Sequence, residues 1–255
     1  MFTIFPKFRA NSTSNISIVS VVDNQFIDYL IVFYHSIVEH NPSFDFKWTI
    51  IYDNKYCILS DENISRLKAL YSNFIFLKID YKIYDKFLGK VPTILFPSMY
   101  KLEIYKMEYD KVIIFDIDAL CLGDISEIFK FNNPISVGSA GKLKHVTRPS
   151  FKRRISFNAG FISYNKYFLN DKFYNSCFKT NNYLKFAEQT LLNKKLRFFP
   201  KYIFDSKYNF HATLNSSEIE NYDVRILHYA GPKPHSSPSL PQMKYWLEAR
   251  EKYLT

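Results

Sequence analysis

The chain has 255 residues, 47% of them apolar and 23% charged, which is the composition of a soluble globular protein large enough for one big α/β domain or two small ones. No window approaches the roughly 18 uninterrupted apolar residues of a spanning helix, the first residues offer no secretory apolar stretch, and three scattered cysteines (Cys57, Cys121, Cys177) exclude a disulfide framework and point to a reducing, cytoplasmic compartment. The formal net charge of +10 favours anionic partners, but the basic residues are dispersed without an aromatic-basic recognition motif, so nucleic acid is not expected among them.

Ile16 to Val22 reads as the first strand, closed by the polar run Asp23-Asn24-Gln25. A helix follows from about Ile27 to Glu39 and stops before Asn41-Pro42. Phe46 to Tyr52 is the second strand, with Asp53-Asn54 as its turn. Ser60 is the expected N-cap of a helix reaching about Tyr71, and Asn73 to Ile79 is the third strand. The spacing predicts a helix over Ser98–Met107, leading into the apolar run Lys111-Val112-Ile113-Ile114-Phe115, which ends in Asp116-Ile117-Asp118. Strands alternating with helices describe βαβ units and a largely parallel sheet, whose ligands gather at the C-terminal ends of its strands.

From Gly138 to Ile155 the pattern lapses into a basic stretch (Lys142, Lys144, His145, Arg148, Lys152, Arg153, Arg154), either a solvated loop or a substrate-gating one. A strand over Phe157–Tyr164 contains Asn158-Ala159-Gly160, and Glu188 to Asn193 lies on a helix. Tyr208-Asn209-Phe210-His211 and His228-Tyr229-Ala230-Gly231 follow. After the proline-rich Pro232–Pro241, residues 243–255 form a basic amphipathic helix behind a domain of residues 1–242. Tyr245, Trp246, Leu247 and Leu254 either pack on that domain or meet an anionic membrane surface.

Side chains at i and i+2 of an extended segment point the same way, so Asp116 and Asp118 can share one ligand. Like charges that close repel unless a positive group lies between them. Such a triplet also forms turns or helix caps. With His228 the two carboxylates make a mixed O/N donor set suited to Mn²⁺, with positions left for substrate oxygens. Gly231 lets backbone approach a phosphate, and Lys233 neutralises one.

Five motifs, in order over nearly the whole chain, resemble the retaining GT-A glycosyltransferases of family 8, which include bacterial lipooligosaccharide galactosyltransferases and glycogenin. They are Val21-Val22-Asp23-Asn24-Gln25-Phe26, Asp110 to Asp118 (D-K-V-x-Y-x-D-x-D), Phe157-Asn158-Ala159-Gly160 (F-N-[AS]-G), Glu188 to Asn193 (D-Q-[DG]-x-[LI]-N), and His228 to Pro234 (H-[YF]-x-G-x-x-K-P-W). The resemblance implies a single Rossmann-like GT-A domain with a mixed, largely parallel sheet flanked by helices. It implies Asp116, Asp118 and His228 as ligands of Mn²⁺ (Mg²⁺ as the alternative), bridging the phosphates of a UDP-sugar. Asp23, Asn24 and Gln25 would hold the uracil and ribose, Gly231 and Lys233 would hold the diphosphate, Val22, Lys101 and Ile117 would also lie at the donor nucleotide, and Asn158, Glu188 and Gln189 would line the donor sugar. Lys101 is the basic residue nearest the arginine that family members carry before the metal strand. The implied reaction transfers a hexose (galactose or glucose, or an N-acetylhexosamine) to a saccharide or lipid-linked glycan of lipopolysaccharide or capsule.

Three departures stand out: Glu188 replaces an aspartate, Lys233 follows His228 by five residues where the family has six, and His235 stands where the family has tryptophan. Phosphatases of the haloacid-dehalogenase type also place D-x-D after an apolar strand, normally the first of the domain, and leave the His228 motif unexplained. A fold of this family without activity is the other alternative.

Overall fold

A computed structural model of the chain describes residues 15–43, 46–139, 150–152, 155–212 and 216–254. In chain order the strands are β1 (Ile16–Val21), β2 (Lys47–Tyr52), β3 (Phe74–Lys78), β4 (Lys111–Phe115), β5 (Ala119–Cys121), β6 (Ile135–Ser139), β7 (Ser150–Lys152), β8 (Phe157–Asn165), β9 (Lys201–Ile203), β10 (Phe210–His211) and β11 (Ile226–His228). The α-helices are α1 (Ile27–His40), α2 (Asp61–Leu70), α3 (Ser126–Lys130), α4 (Asp171–Cys177), α5 (Ala187–Lys195), α6 (Ser216–Asn221) and α7 (Lys244–Leu254).

Eight strands form the central sheet in the order β3-β2-β1-β4-β8-β6-β9-β7. Its first half, β3 to β4, is parallel, and β8 then runs antiparallel to both β4 and β6. β4 is buried along its whole length. The period of two sends Val112 and Ile114 to one apolar layer, and Ile113 and Phe115 to the other, with α1. A second sheet, β10-β11-β5, lies beyond the end of β4.

The expected strands and helices of the first eighty residues are present, and the Ser60 hydroxyl accepts from Asn63 N–H as the N-cap of α2. The helix expected over Ser98–Met107 is instead wound as 3-10 turns from Thr93 to Lys106. Pro97 has no N–H, and its ring excludes a carbonyl four residues back. Met99 to Tyr105 are all buried, so this segment has no solvent face for an amphipathic stripe to mark. The basic stretch Lys142–Arg154 lies outside the described residues except at β7. Among the described residues no helix is long and apolar enough to cross a membrane.

α7 lies along α1. Trp246 is buried and stacks on Tyr29 with ring centroids 4.7 Å apart, Tyr253 stacks on His35, and Lys252 pairs with Glu39.

Candidate active site

The site is built where the two sheets meet. The β4–β8 ladder continues one step past β4, with Asp116 N–H donating to Gly160 O at 2.9 Å, so the carboxylate end of β4 lies against Asn158-Ala159-Gly160. Asp118 leads directly into β5, and β5 pairs antiparallel with β11, His228 opposite Ala119. Tyr229 N–H then donates to Asp118 O at 2.8 Å. Strand pairing alone therefore brings His228, more than a hundred residues downstream, beside the aspartates.

Each aspartate divides its two oxygens in the same way. Asp116 Oδ1 accepts from Lys101 Nζ at 2.6 Å, and its Oδ2 lies 3.7 Å from His228 Nε2. Asp118 Oδ2 accepts from Lys233 Nζ, and its Oδ1 lies 3.4 Å from the same Nε2. One ligand atom from each of Asp116, Asp118 and His228 lies within 4.8 Å of the others. Two carboxylate oxygens and an imidazole nitrogen on one point are a donor set for a divalent cation of the Mn²⁺ or Mg²⁺ kind. Room for the imidazole depends on Gly160, where a Cβ would sit 2.2 Å from His228 Cε1.

Lys101 is buried and bridges Asp116 to Glu188, whose Oε1 is 2.7 Å from Nζ. Burial opposes the ammonium, but the Asp116 and Glu188 carboxylates outweigh it and hold Lys101 above its ordinary value. Burial pushes the Glu188 carboxyl up, against the pull of Lys101. At Asp118 burial is outweighed in the opposite sense, and His228 and Lys233 hold the carboxyl well below its usual range. Lys233 also donates to Tyr229 O at 2.7 Å, so the shortened spacing after His228 still delivers its ammonium to the aspartates. Gly231 is exposed in the intervening turn. His235 instead pairs with Tyr29: its Nδ1 is 2.7 Å from the hydroxyl oxygen, which tethers the loop to α1.

α5 is fastened to β8 from both ends of its motif. Gln189 Oε1 accepts from Ala159 N–H at 2.9 Å and from Asn158 Nδ2 at 3.2 Å. Asn193 accepts from Phe157 N–H and donates to Phe157 O, so it clamps one backbone residue on both sides. Ala187 has φ of 43°, a left-handed conformation uncommon for a residue with a Cβ, just before Glu188 and Gln189.

The remaining expected residues occupy the same end of the sheet, and among the described residues the side chains of Asp23, Asn24 and Gln25 make no hydrogen bond or ion pair to the aspartate cluster. Asp23 caps its own turn by accepting from Gln25 N–H, and burial raises its carboxyl against that bond. Asn24 Oδ1 accepts from Ser60 N–H and Asn63 Nδ2, which ties this turn to α2. Gln25 is exposed. Val22 and Ile117 are core residues and offer the site only their backbone. Two residues not assigned to this cluster from sequence also belong to it. Asn209 Oδ1 is 2.9 Å from His228 Nδ1, and the His211 ring meets that of His228 edge-on at 5.4 Å. Burial next to His228 pushes His211 down to about 4. Their only sequence signal is that they fall in the polar-aromatic segment Tyr208–His211.

The profile of Glycosyl transferase family 8 matches residues 17–237. A comparison with curated proteins gave no match. Among solved structures, the galactosyltransferase LgtC in complex with donor and acceptor sugar analogues is 19% identical over 94% of this chain and 96% of that one, with a TM-score of 0.71. An active-site mutant of LgtC, with glutamate in place of a glutamine, gives 18% identity, the same coverage and 0.70. The glycosyltransferase GlyE of Streptococcus pneumoniae TIGR4 is 18% identical over 92% of this chain and 60% of that one, with a TM-score of 0.69. The fold is thus shared with GT-A enzymes, and the phosphatase reading is set aside.

Proposed function

The chain belongs to glycosyltransferase family 8, and from that premise we propose that it is a retaining, UDP-sugar-dependent hexosyltransferase whose acceptor is a saccharide, free or lipid-linked, of a surface glycan. The observation that carries this reading is the convergence of Asp116 Oδ2, Asp118 Oδ1 and His228 Nε2, flanked by Lys233 and by the Asn158–Gln189 amides. Asp116, Asp118 and His228 would hold Mn²⁺ or Mg²⁺, which when bound supplies Lewis-acid stabilisation of the UDP leaving group. Lys233, already within reach of Asp118, would neutralise the diphosphate, with Gly231 giving its backbone room. Asp23 and Gln25, with the backbone of Val22, would take the nucleoside, and Asn24 would brace their turn from α2. Asn158 and Gln189 would orient the sugar hydroxyls, in line with the glutamine altered in the LgtC active-site mutant.

Glu188 supports front-face attack rather than double displacement. Its side chain is 5% exposed and its carboxylate is bonded to Lys101, so it is not a free nucleophile. In the front-face step the acceptor hydroxyl oxygen bonds to the anomeric carbon as the bond to UDP breaks. The electron pair goes to the diphosphate, whose oxygen takes the hydroxyl proton. Attack and departure share one face, so configuration is retained.

The acceptor is best sought among lipopolysaccharide and capsule intermediates in the cytoplasm. Membrane contact by α7 would run through Leu247 and Arg250, because Trp246 faces inward. The test is a screen of UDP-sugars for Mn²⁺-dependent UDP release. UDP-galactose or UDP-glucose is expected to be the best donor. Asp118→Asn should lower the rate about 100-fold or more, a loss of roughly 3 kcal/mol. Metal-independent release, or near-normal release by that variant, overturns the reading.

A further inference from the structure

Asn209 is buried, on no path of the proposed reaction, and its side chain stands between two parts of the site. Its Oδ1 is 2.9 Å from His228 Nδ1, and its Nδ2 is 3.4 Å from Asn158 Oδ1. Amide and imidazole orientations follow from the network around them, and here two backbone N–H groups fix that network's polarity. Ala159 N–H can only donate, so the Gln189 atom it meets at 2.9 Å is the oxygen, which then faces Asn158 Nδ2. Gly160 N–H can only donate, so the Asn158 atom it meets at 2.8 Å is Oδ1, which leaves Asn209 to present Nδ2. Asn209 must then turn Oδ1 to His228. A reversed Asn209 would set two carbonyl oxygens against each other in a buried site.

We propose that Asn209 is a positioning residue that accepts the Nδ1–H of His228 and so turns Nε2 toward Asp116 and Asp118. The backbone makes space for both members of this pair. A Cβ at Gly138 would sit 2.7 Å from Asn209 Cβ, and one at Gly160 would sit 2.2 Å from His228 Cε1. A ligating histidine is ordinarily oriented through its second nitrogen, and loss of such a partner costs roughly 10–100-fold in metal affinity. The same chain of amides joins the ring to Gln189, so cation and sugar positions would be set by one network. This inference deepens the reading of Asp116, Asp118 and His228 as a cation site and rests on it.

The test uses two-bond ¹H–¹⁵N correlation spectra of the metal-free, ¹⁵N-histidine-labelled full chain, with the His228 signals assigned by their loss in His228→Gln. The unsubstituted protein is expected to carry a proton on His228 Nδ1. Asn209→Asp keeps an acceptor toward Nδ1 and should retain that proton, while its second oxygen meets Asn158 Oδ1 unfavourably. Asn209→Leu, which removes the acceptor, should move the His228 Nδ1 signal and weaken Mn²⁺ binding about 10–100-fold in calorimetric titration. An Nδ1 without a proton in the unsubstituted protein overturns the proposal without any variant, as do an unmoved Nδ1 signal and an unchanged Mn²⁺ affinity in Asn209→Leu. The expected Nδ1 signals with no Mn²⁺ bound by the unsubstituted protein would support the role of Asn209 and remove the cation site instead.

Discussion

Lys101 shows how one buried charge can organise a site. Its ammonium holds Asp116 and Glu188 together at 2.6 and 2.7 Å, and no other cation is in contact with Glu188 among the described residues. Replacing it by methionine leaves two carboxylates facing each other out of water. The cost of breaking a buried pair in this way is about 3–5 kcal/mol. Lys101→Met is therefore expected to lower the melting temperature by roughly 10 °C in a domain of this size, which a thermal scan followed by circular dichroism would check. A shift below about 2 °C would mean that the pair contributes little. From sequence, Lys101 was visible only as a basic residue upstream of the aspartates. Side chains on a segment wound at three residues per turn point elsewhere than at 3.6, and that winding was not legible in a stretch that is buried all round.

At the scale of elements, the long pieces were legible and the short ones were not. β1, β2, β3, β4 and β8 announce themselves by apolar runs between turn residues, and α1 and α2 by their stops and caps. β5, β9, β10 and β11 have two or three residues each, too few for any period to show. Yet β5 and β11 bring His228 to Asp118, so the metal-type cluster could be listed from residue types but not assembled. The glycine of the Phe157–Gly160 motif acquires its reason here as well. Gly160→Ala places a Cβ 2.2 Å from Cε1 and 2.7 Å from Nδ1 of His228, with backbone fixed in the β4–β8 ladder. The ring must move, because the strand cannot. The expected outcome is a Mn²⁺ affinity reduced at least about 10-fold, at a stability cost of about 1–3 kcal/mol. Metal titration alongside urea unfolding separates the two effects, and an unchanged affinity would show that the ring does not need that space.

For the whole molecule the consequential join is the one between the C-terminal helix and the site. α7 packs on α1 through Trp246 and Tyr29, and the Tyr29 hydroxyl holds His235 two residues beyond Lys233. Tyr229, next to His228, is buried in the same cluster as Trp246. The loop that presents Lys233 is thus braced from behind by α1 and α7, and α7 reads as part of the domain's structure as well as its end. Trp246→Ala should cost about 3–5 kcal/mol and, by loosening Tyr29, raise the KM for the UDP-sugar more than it lowers kcat. Trp246→Phe keeps the stack on Tyr29, and Trp246 Nε1 has no hydrogen-bond partner among the described residues, so this variant should stay close to the parent in both measures. Steady-state kinetics on the two variants, at a temperature where both are folded, decide the matter. Equal KM values in the alanine variant and the parent would confine α7 to stability and uncouple it from the phosphate loop.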